Sequence, residues 1–361
     1  MEMTSKERLT SILEGRTPDR VASSLLINPY YTNSLPGKPD PIEFLKELGA
    51  DIIDRDGPLP YDKVFTGGVE YSDVFKNGET IRTCTTPVGT VQETFAGPMA
   101  WGDISHRTSG FVKTLEDYKI LQYVFENMQF TPNYDWYEER LALIGDYGIL
   151  APQATEFRSS LEYLLETDLE RTIFDLSDHP EIVEEFLDAL KEANYRACKV
   201  AAGCPATYYN VWEDSSTTLL SPTWFEEYVL PEFNGFTEIL QQNGKKLIHH
   251  ACGKIKNLLP LMKQESVVAF ESVTPNPVGD VRIRDCFDAW DDKFTVIGGL
   301  DPTFLIRCSM EQLEERVVEI IESLGEYKKH FILANGDSLP PRVDREKLVK
   351  MIEIVKRYRF G

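Results

Sequence analysis

The heptapeptide IHHACGK at residues 248–254 concentrates side chains that can bind a metal or carry protons. It holds two of the five histidines and one of the six cysteines of the chain. Because side chains alternate along an extended strand, His250 and Cys252 would share one face while His249 points to the other. An imidazole nitrogen and a thiolate on one face can bind the same zinc ion. A buried strand that merely contains these residues is the alternative, and the heptapeptide alone leaves both readings open.

Two carboxylates at the ends of other apolar runs extend this set of donors. Glu271 ends the run SVVAFESV, and Asp337 ends the run HFILANGD. A zinc site takes three or four donors, so we expect His250, Cys252, Glu271 and Asp337 as metal ligands.

Further polar residues follow the remaining apolar runs. Glu213 and Asp214 end ATYYNVWED, and we expect them to orient a substrate or to act as general acid. Capping of the next helix is the alternative for both. The residues expected to contact substrate are Asn28, Tyr30, Gln153 and Asp301, although Asp301 also fits a turn residue before Pro302.

The elements that must position these residues are short strands that alternate with helices. Strand-like runs lie at residues 21–27, 50–54, 147–154, 206–214, 245–253, 266–273, 294–301 and 330–337. This alternation predicts a parallel sheet, and eight such units predict an α/β fold of the (β/α)₈ TIM-barrel type. A doubly wound open sheet is less favoured, because no G-x-G-x-x-G loop follows the first strand. In a barrel the polar strand ends meet at one mouth, where active sites of this fold lie.

A long segment separates the second and third strands. It contains GETIRTCTTPVGTVQETFAG at residues 78–97, which predicts a β-hairpin that turns near Pro87–Gly89, followed by helical segments. We expect an insertion on one barrel domain that spans residues 1–361. Two long helices are predicted at residues 179–202, with Ser177 and Asp178 as caps, and at 309–325, ended by Gly325.

The charge and composition exclude several classes of partner. The chain has 59 acidic and 38 basic residues and a formal net charge of −21, which repels nucleic acid and anionic membranes. It has no apolar run long enough to span a membrane and no apolar signal-peptide core at its start. The cysteines follow no disulfide framework, so we expect a cytoplasmic protein with reduced thiols. The oligomeric state is left open, with a homodimer among the options.

Several longer motifs resemble the uroporphyrinogen decarboxylase superfamily. They are SKERLTSILEGRTPDRV near the start, LLSPTWFEEYVLPEF at 219–233, IHHACGKIKNLLPLM at 248–262, ESVTPNPVGDV at 271–281 and GGLDP at 298–302. The superfamily contains porphyrinogen decarboxylases and zinc-dependent methyltransferases that work with corrinoid proteins. The decarboxylases use an arginine-rich loop after the first strand, but the loop here, INPYYTNSLPG, contains no arginine. Because several carboxylates need cations to hold them, the resemblance favours the methyltransferase branch.

The resemblance also implies a set of zinc ligands. His250 and Cys252 are similar to the His-x-Cys motif of the methyltransferases, and Glu271 lies at a spacing similar to that of a Glu ligand in cobalamin-independent methionine synthases. The second Cys of the methyltransferases is missing, and Asp337 stands nearest to its expected position. Zinc with one thiolate and carboxylates is the harder Lewis acid, which suits polarisation of an oxygen such as that of a methyl ether.

We therefore expect a zinc-dependent methyltransferase that exchanges a methyl group between a small-molecule methyl donor or acceptor and a separate corrinoid protein. The cofactors expected are zinc and the cobalamin-type corrinoid of the partner. Two alternatives are a decarboxylase of a smaller carboxylate, which would need Arg55, Arg158 or Arg342 in the pocket, and a non-catalytic barrel that binds a corrinoid or a partner protein.

Overall fold

The computed structural model describes residues 2–97 and 106–361, and its central feature is a ring of eight parallel strands. The strands of the described part are β1 Ala22–Ser23, β2 Ile52–Asp54, β3 Tyr61–Phe65, β4 Glu70–Lys76, β5 Glu79–Thr86, β6 Gly89–Ala96, β7 His106–Ser109, β8 Met128–Pro132, β9 Gly148–Leu150, β10 Tyr208–Glu213, β11 Lys246–Ala251, β12 Ala269–Val273, β13 Thr295–Leu300 and β14 Phe331–Asn335.

The helices lie mostly between the barrel strands. They are α1 Ser5–Leu13, α2 Pro29–Thr32, α3 Pro41–Leu48, α4 Leu115–Glu126, α5 Tyr137–Ile144, α6 Ser160–Thr167, α7 Leu169–Asp178, α8 Pro180–Ala201, α9 Pro222–Trp224, α10 Leu230–Gln242, α11 Leu259–Met262, α12 Ile283–Trp290, α13 Pro302–Arg307, α14 Met310–Ser323 and α15 Arg345–Val355. A π-helical turn at Phe225–Val229 and 3₁₀ turns at Gly145–Tyr147, Lys256–Leu258 and Gly325–His330 join some of them.

Hydrogen bonds close the barrel in the order β1-β2-β9-β10-β11-β12-β13-β14. Six strands from β10 through β14 to β1 form one parallel sheet, and β2 pairs with β9 in parallel. The backbone N–H of Asp51 donates to the carbonyl of Ser23 at 2.9 Å, and a parallel bridge joins Gln153 to Asn210, so both gaps are spanned. The TIM-barrel prediction is thus confirmed, and all eight predicted strands are present.

One inward-facing residue from each strand fills the lower half of the barrel. This cluster contains Ala22, Ile53, Ile149, Tyr208, Ile248, Ala269, Ile297 and Ile332, and Leu9, Ile12 and Leu13 of α1 pack against it from below. Since side chains alternate, the residue two positions later on each strand faces inward one layer higher. That rule puts Arg55, Asn210, His250 and Glu271 in the next layer, towards the mouth.

The insertion between β2 and β9 is a separate antiparallel sheet beside the barrel. Its strand order is β4-β5-β6-β7, while β3 pairs with β8 next to it. β5 and β6 form the predicted hairpin, with Thr86 opposite Gly89. The helix α4 then returns the chain towards the barrel, which confirms the predicted hairpin-and-helix insertion.

The cap predicted for the long helix at 179–202 is wrong. Ser177 and Asp178 belong to α7, and α8 begins at Pro180 after His179. The residues just before His179 continue the preceding helix α7 instead of capping α8. In the described part of the chain, no helix is both long and apolar enough to cross a membrane.

Candidate active site

A buried pair of His250 and Glu271 forms the centre of the barrel mouth. Nδ1 of His250 lies 2.8 Å from Oε1 of Glu271, and Nε of Arg55 donates to the other carboxylate oxygen. Arg55 is itself held by the carbonyl of Ile53 at 2.9 Å. Neighbouring strands β11 and β12 bring the first two residues together, because His250 and Glu271 are register partners.

The charge of Glu271 fixes the tautomer of the histidine. Burial raises the pKa of Glu271, but Arg55 and the hydrogen bond from His250 outweigh it and hold that pKa below its ordinary value. An ionised carboxylate only accepts hydrogen bonds, so Nδ1 of His250 carries a proton. In the neutral imidazole, Nε2 then keeps a free lone pair for a metal or a proton.

An aromatic side chain fixes the plane of the same imidazole. Trp212 of β10 is the register partner of His250, and the two rings stack with centroids 5.4 Å apart and planes within 16°. The imidazole is therefore held both at its edge and on its face.

Cys252 lies in an acidic environment just beyond β11. Its Sγ is 3.7 Å from the carbonyl oxygen of Glu213. Burial, together with the carboxylates of Asp214 and Asp337, raises the pKa of the thiol. Burial likewise raises the pKa of Asp214, despite opposing contributions from Arg158 and the Cys252 hydrogen bond. A thiolate at this position would need a cation beside it.

A buried pair of carboxyl groups lies next to the thiol, and it joins the predicted Glu213 to Glu162, which the sequence did not indicate. Glu213 accepts hydrogen bonds from the backbone N–H and the hydroxyl of Ser159 at 2.8 and 2.5 Å. Burial raises its pKa to about 7, and a hydrogen bond to Glu162 opposes that rise. Glu162 accepts from the backbone N–H of Asp214 at 2.7 Å and from Arg158 at 2.5 Å. Burial and the neighbouring Glu213 raise the pKa of Glu162 well above its ordinary value, so the pair shares a proton.

Glu162 lies on α6, whose N-terminus faces the mouth. Ser159 precedes that helix and caps it, and Ser160 donates to the buried Glu232 of α10 at 2.9 Å through its backbone N–H. The only sequence signal for this site was the run RSSLEYLLE after the third strand. It reads equally well as an ordinary capped helix.

His249 has a purely structural environment on the opposite face of β11. Its Nδ1 lies 2.8 Å from Oε2 of the buried Glu265, and its Nε2 lies 3.2 Å from the Ser215 hydroxyl. Its ring stacks on Phe233 with centroids 3.9 Å apart. The two adjacent histidines thus point to opposite sides, as the strand alternation predicts.

The residues predicted to contact substrate lie in different settings. Nδ2 of Asn28 donates to the hydroxyl of Ser338 at 3.0 Å, and Tyr30 is 42% exposed on α2. Gln153 takes part in the bridge to β10. Asp301 caps α13 through a 2.6 Å hydrogen bond from the Thr303 N–H, which is the turn role that the sequence left open for it.

The four predicted metal ligands do not form a ready-made cage. Over residues 2–97 and 106–361, no group of three or more His, Cys, Asp or Glu side chains is arranged to hold a metal ion. Glu271 has both carboxylate oxygens engaged by His250 and Arg55. Asp337 accepts from the Ser338 N–H at 2.6 Å and lies close enough to Cys252 to affect its charge. Of the four, His250 through Nε2 and Cys252 through its thiol remain as candidate zinc donors, and the carboxylates beside the thiol would favour a cation there.

Two of the three arginines that a decarboxylase would need are already paired with carboxylates. Arg55 binds Glu271, and Arg158 binds Glu162 and also Glu166, at 3.1 Å. Arg342 is exposed in the loop before α15. Arg55 and Arg158 are therefore already paired with acids, whereas Arg342 is exposed in the loop that follows β14.

A cavity of about 710 Å³ lies between strands of the insertion and α6. Tyr163 of α6 lines it, together with aromatic residues of the insertion such as Phe65, Tyr71 and Phe111. Arg82, Arg107 and Lys63 also line it, and carboxylates of the same wall pair with all three.

Comparisons with known proteins agree with this architecture. The model of the uroporphyrinogen decarboxylase (URO-D) family matches residues 116–358. A methyltransferase from Methanosarcina mazei has a similar structure, with a TM-score of 0.63 at 13% identity over 99% of each chain. Dispersin B gives a TM-score of only 0.34 at 9% identity over 94% of this chain and 99% of its own, too low for an argument. No curated protein matches the sequence significantly. Since the family model covers more than half of the chain, including all the residues from Ser159 to Asp337 described above, this protein belongs to the uroporphyrinogen decarboxylase family.

Proposed function

We propose that this protein is a zinc-dependent methyltransferase that exchanges a methyl group between a small substrate and a corrinoid protein. The observation that carries the proposal is the His250 imidazole of β11, which Glu271 and Trp212 hold with Nε2 free, two residues before Cys252 just beyond the end of that strand. A carboxylate on the far nitrogen of a ligating histidine is the usual second partner in zinc sites. The solved methyltransferase of similar fold adds support at the level of architecture.

In this proposal Nε2 of His250 and Sγ of Cys252 would hold the zinc, and Asp214, Asp337 or the substrate would complete its coordination. When bound, it would supply a Lewis acid that polarises the heteroatom bearing the methyl group. Glu271 acts through His250 instead of binding the metal itself, and Arg55 compensates its buried charge. This changes the role that the sequence assigned to Glu271.

The neighbouring acids would supply a proton to the leaving group. Asp214 lies beside the thiol, and burial raises the pKa of its carboxyl above the ordinary value. The backbone N–H of Asp214 is anchored on Glu162, whose partner Glu213 holds the β10 end in place. Asp214 would thus protonate a leaving oxygen of a methyl ether, with the Glu162–Glu213 pair as its support.

The decarboxylase alternative has less support, because Arg55 and Arg158 are paired with acids and only the exposed Arg342 remains of the three arginines considered. A binding barrel without catalysis would not need a proton-sharing acid pair beside the thiol.

Metal content tests the proposed site directly. We expect about one zinc per chain in the purified protein and loss of most of it in Cys252→Ser, measured by elemental analysis. Cys286→Ser is the matched control, because that thiol is buried on α12 and lies outside the cluster at the mouth. Zinc that stays in Cys252→Ser, or a native protein that takes up none, would contradict the site.

Methyl transfer tests the reaction itself. Native protein with zinc should methylate reduced cobalamin from at least one methyl ether or methylthiol of a small panel, followed by the change in cobalamin absorbance. Zinc binding without transfer to any cobalamin would leave the metal site standing and refute the methyltransferase proposal for those substrates.

A further inference from the structure

β4 is an edge strand with unusual exposure. It pairs with β5 on one side, in seven consecutive residue pairs without a bulge. Among the described residues nothing pairs with its other side, and all seven of its residues are exposed. Natural sheets normally protect such edges with proline, bulges, charged side chains or short strands. β4 has seven residues and contains no proline and no bulge, and its charged residues are Glu70, Asp73 and Lys76.

The exposed side chains of β4 include large apolar groups. Phe75 is 59% exposed and Val74 is 55% exposed, while Tyr71 is 38% exposed on the same face as Phe75. A strand edge with apolar side chains on both faces is a template for pairing with another strand.

The sequence of β4 is complementary to itself in the antiparallel direction. In EYSDVFK, an axis through Asp73 pairs Glu70 with Lys76 and Tyr71 with Phe75. Opposite charges and aromatic pairs are the cross-strand partners that stabilise sheets. Moving the axis by one residue puts a carboxylate opposite an apolar side chain. With the axis at Ser72, Glu70 faces Val74, and with the axis at Val74, Asp73 faces Phe75. The register around Asp73 is therefore favoured over its neighbours.

Asp73 itself does not prevent this pairing. Its two carboxylate oxygens accept from Nε and Nη2 of Arg82 on β5, both at 2.9 Å. Two copies of Asp73 on the axis would thus meet as ion pairs with their own arginines instead of as free charges.

We infer that two copies of this chain associate through β4, antiparallel about a two-fold axis at Asp73. The two insertion sheets then join into one sheet of eight strands, and neither β4 keeps a free edge. Such an interface is isologous and closes at the dimer. This inference does not depend on the proposed methyl transfer.

Charge reversal with rescue tests the register. Native protein should sediment as a dimer, with twice the mass of the chain. Glu70→Lys or Lys76→Glu alone places two like-charged pairs in the interface, and we expect the dissociation constant to rise by about tenfold or more. The double variant E70K/K76E restores both pairs and should return the native dissociation constant.

A cross-link provides a second measurement that does not depend on affinity. Asp73→Cys places two thiols opposite each other on the axis and should form a dimer through a disulfide under mild oxidation. Val88→Cys, at the exposed turn of the hairpin, should stay monomeric on a non-reducing gel, and so should native protein, whose cysteines are buried or half-buried. All these positions are on the surface, so the variants should fold.

Three outcomes would overturn the inference. One is a monomer at every concentration tested. Another is a dimer that single charge reversals do not weaken or that the double variant does not restore. The third is the absence of a cross-link through residue 73 in a dimeric protein.

Discussion

At the scale of residues, the site depends on a histidine that is held from two sides. The carboxylate of Glu271 fixes its proton on Nδ1, and the indole of Trp212 fixes its plane. The adjacent His249 has an analogous carboxylate partner, Glu265, but on the opposite face of the strand. The chain thus contains an internal control for any test of the His250 pair.

Glu271→Gln should weaken metal binding without removing a ligand. It takes away the charge that orders His250 and compensates Arg55, and loss of such a partner typically costs 10- to 100-fold in metal affinity. A zinc titration against a competing chelator measures this change. Glu265→Gln alters the pair of His249 alone, so it should leave the zinc affinity within about twofold of native. Equal losses in both variants would mean a general destabilisation instead of a role for Glu271 at the metal.

The shared proton of Glu213 predicts a dependence of stability on pH. Burial raises its pKa to about 7 from an ordinary value of 4.5, so the folded chain keeps a proton that the unfolded chain releases. The stability that this proton contributes is complete below pH 4.5 and is lost as the pH rises through 7. Relative to Glu213→Gln, the native free energy of unfolding should fall by roughly 2–3 kcal/mol from pH 5 to pH 8.

Urea unfolding of both proteins at pH 5, 6, 7 and 8 measures this difference. A difference between native and variant that stays constant over that range would show that Glu213 is ionised in the folded protein.

At the scale of elements, neighbouring strands approach so closely that one position requires glycine. Gly148 begins β9, and a Cβ there would collide with the carbonyl oxygen of Ile52 on β2. Because the obstacle is backbone, it cannot rotate away as a flexible side chain would.

Gly148→Ala should therefore destabilise the fold by about 3 kcal/mol, since overpacking at a rigid contact forces backbone shifts. The control is Gly57→Ala, whose Cβ would lie 3.5 Å from the Trp136 ring, an ordinary contact distance. Its unfolding midpoint in urea should stay close to native. A native midpoint for Gly148→Ala would mean that β2 and β9 can separate at no cost.

At the scale of the whole molecule, a buried ion network joins the N-terminal helix to the bottom of the barrel. Asp51 accepts from Arg8 of α1 at 2.6 Å, from Arg20 at 3.0 Å and from the Ser23 N–H at 3.0 Å. It sits just before β2 and next to β1, where the barrel closes. The network therefore contributes to the closure of the ring, at the end opposite the candidate active site.

Asp51→Asn should cost about 3 kcal/mol of stability, because it leaves the buried Arg20 without its carboxylate and Arg8 with Asp19 alone. Asp288→Asn removes an exposed pair with Arg284 and should cost less than about 1 kcal/mol. Thermal unfolding monitored by circular dichroism compares them. Equal midpoints for the two variants would show that the buried network adds no net stability.

The sequence by itself determined the barrel and the direction of its key side chains. Strands that are covered on both faces appear in the sequence as short apolar runs. Eight such runs alternate with helical segments, and this alternation predicted the fold class. The opposite faces of His249 and His250 followed from the alternation of side chains on a strand. The expectation of one domain over residues 1–361, zinc and the corrinoid partner remain predictions.

Only the tertiary structure decided which of these residues meet. Arg55 lies far from Glu271 along the chain. The two side chains are nevertheless in contact, because the end of β2 and the strand β12 direct them into the barrel at the same height. Glu162 carried no signal of a site in the sequence, but α6 places it next to Glu213 in the fold. Local periodicity specifies the face of a side chain. Its partners across a barrel depend on strand order, register and helix placement, which arise only when the whole chain packs.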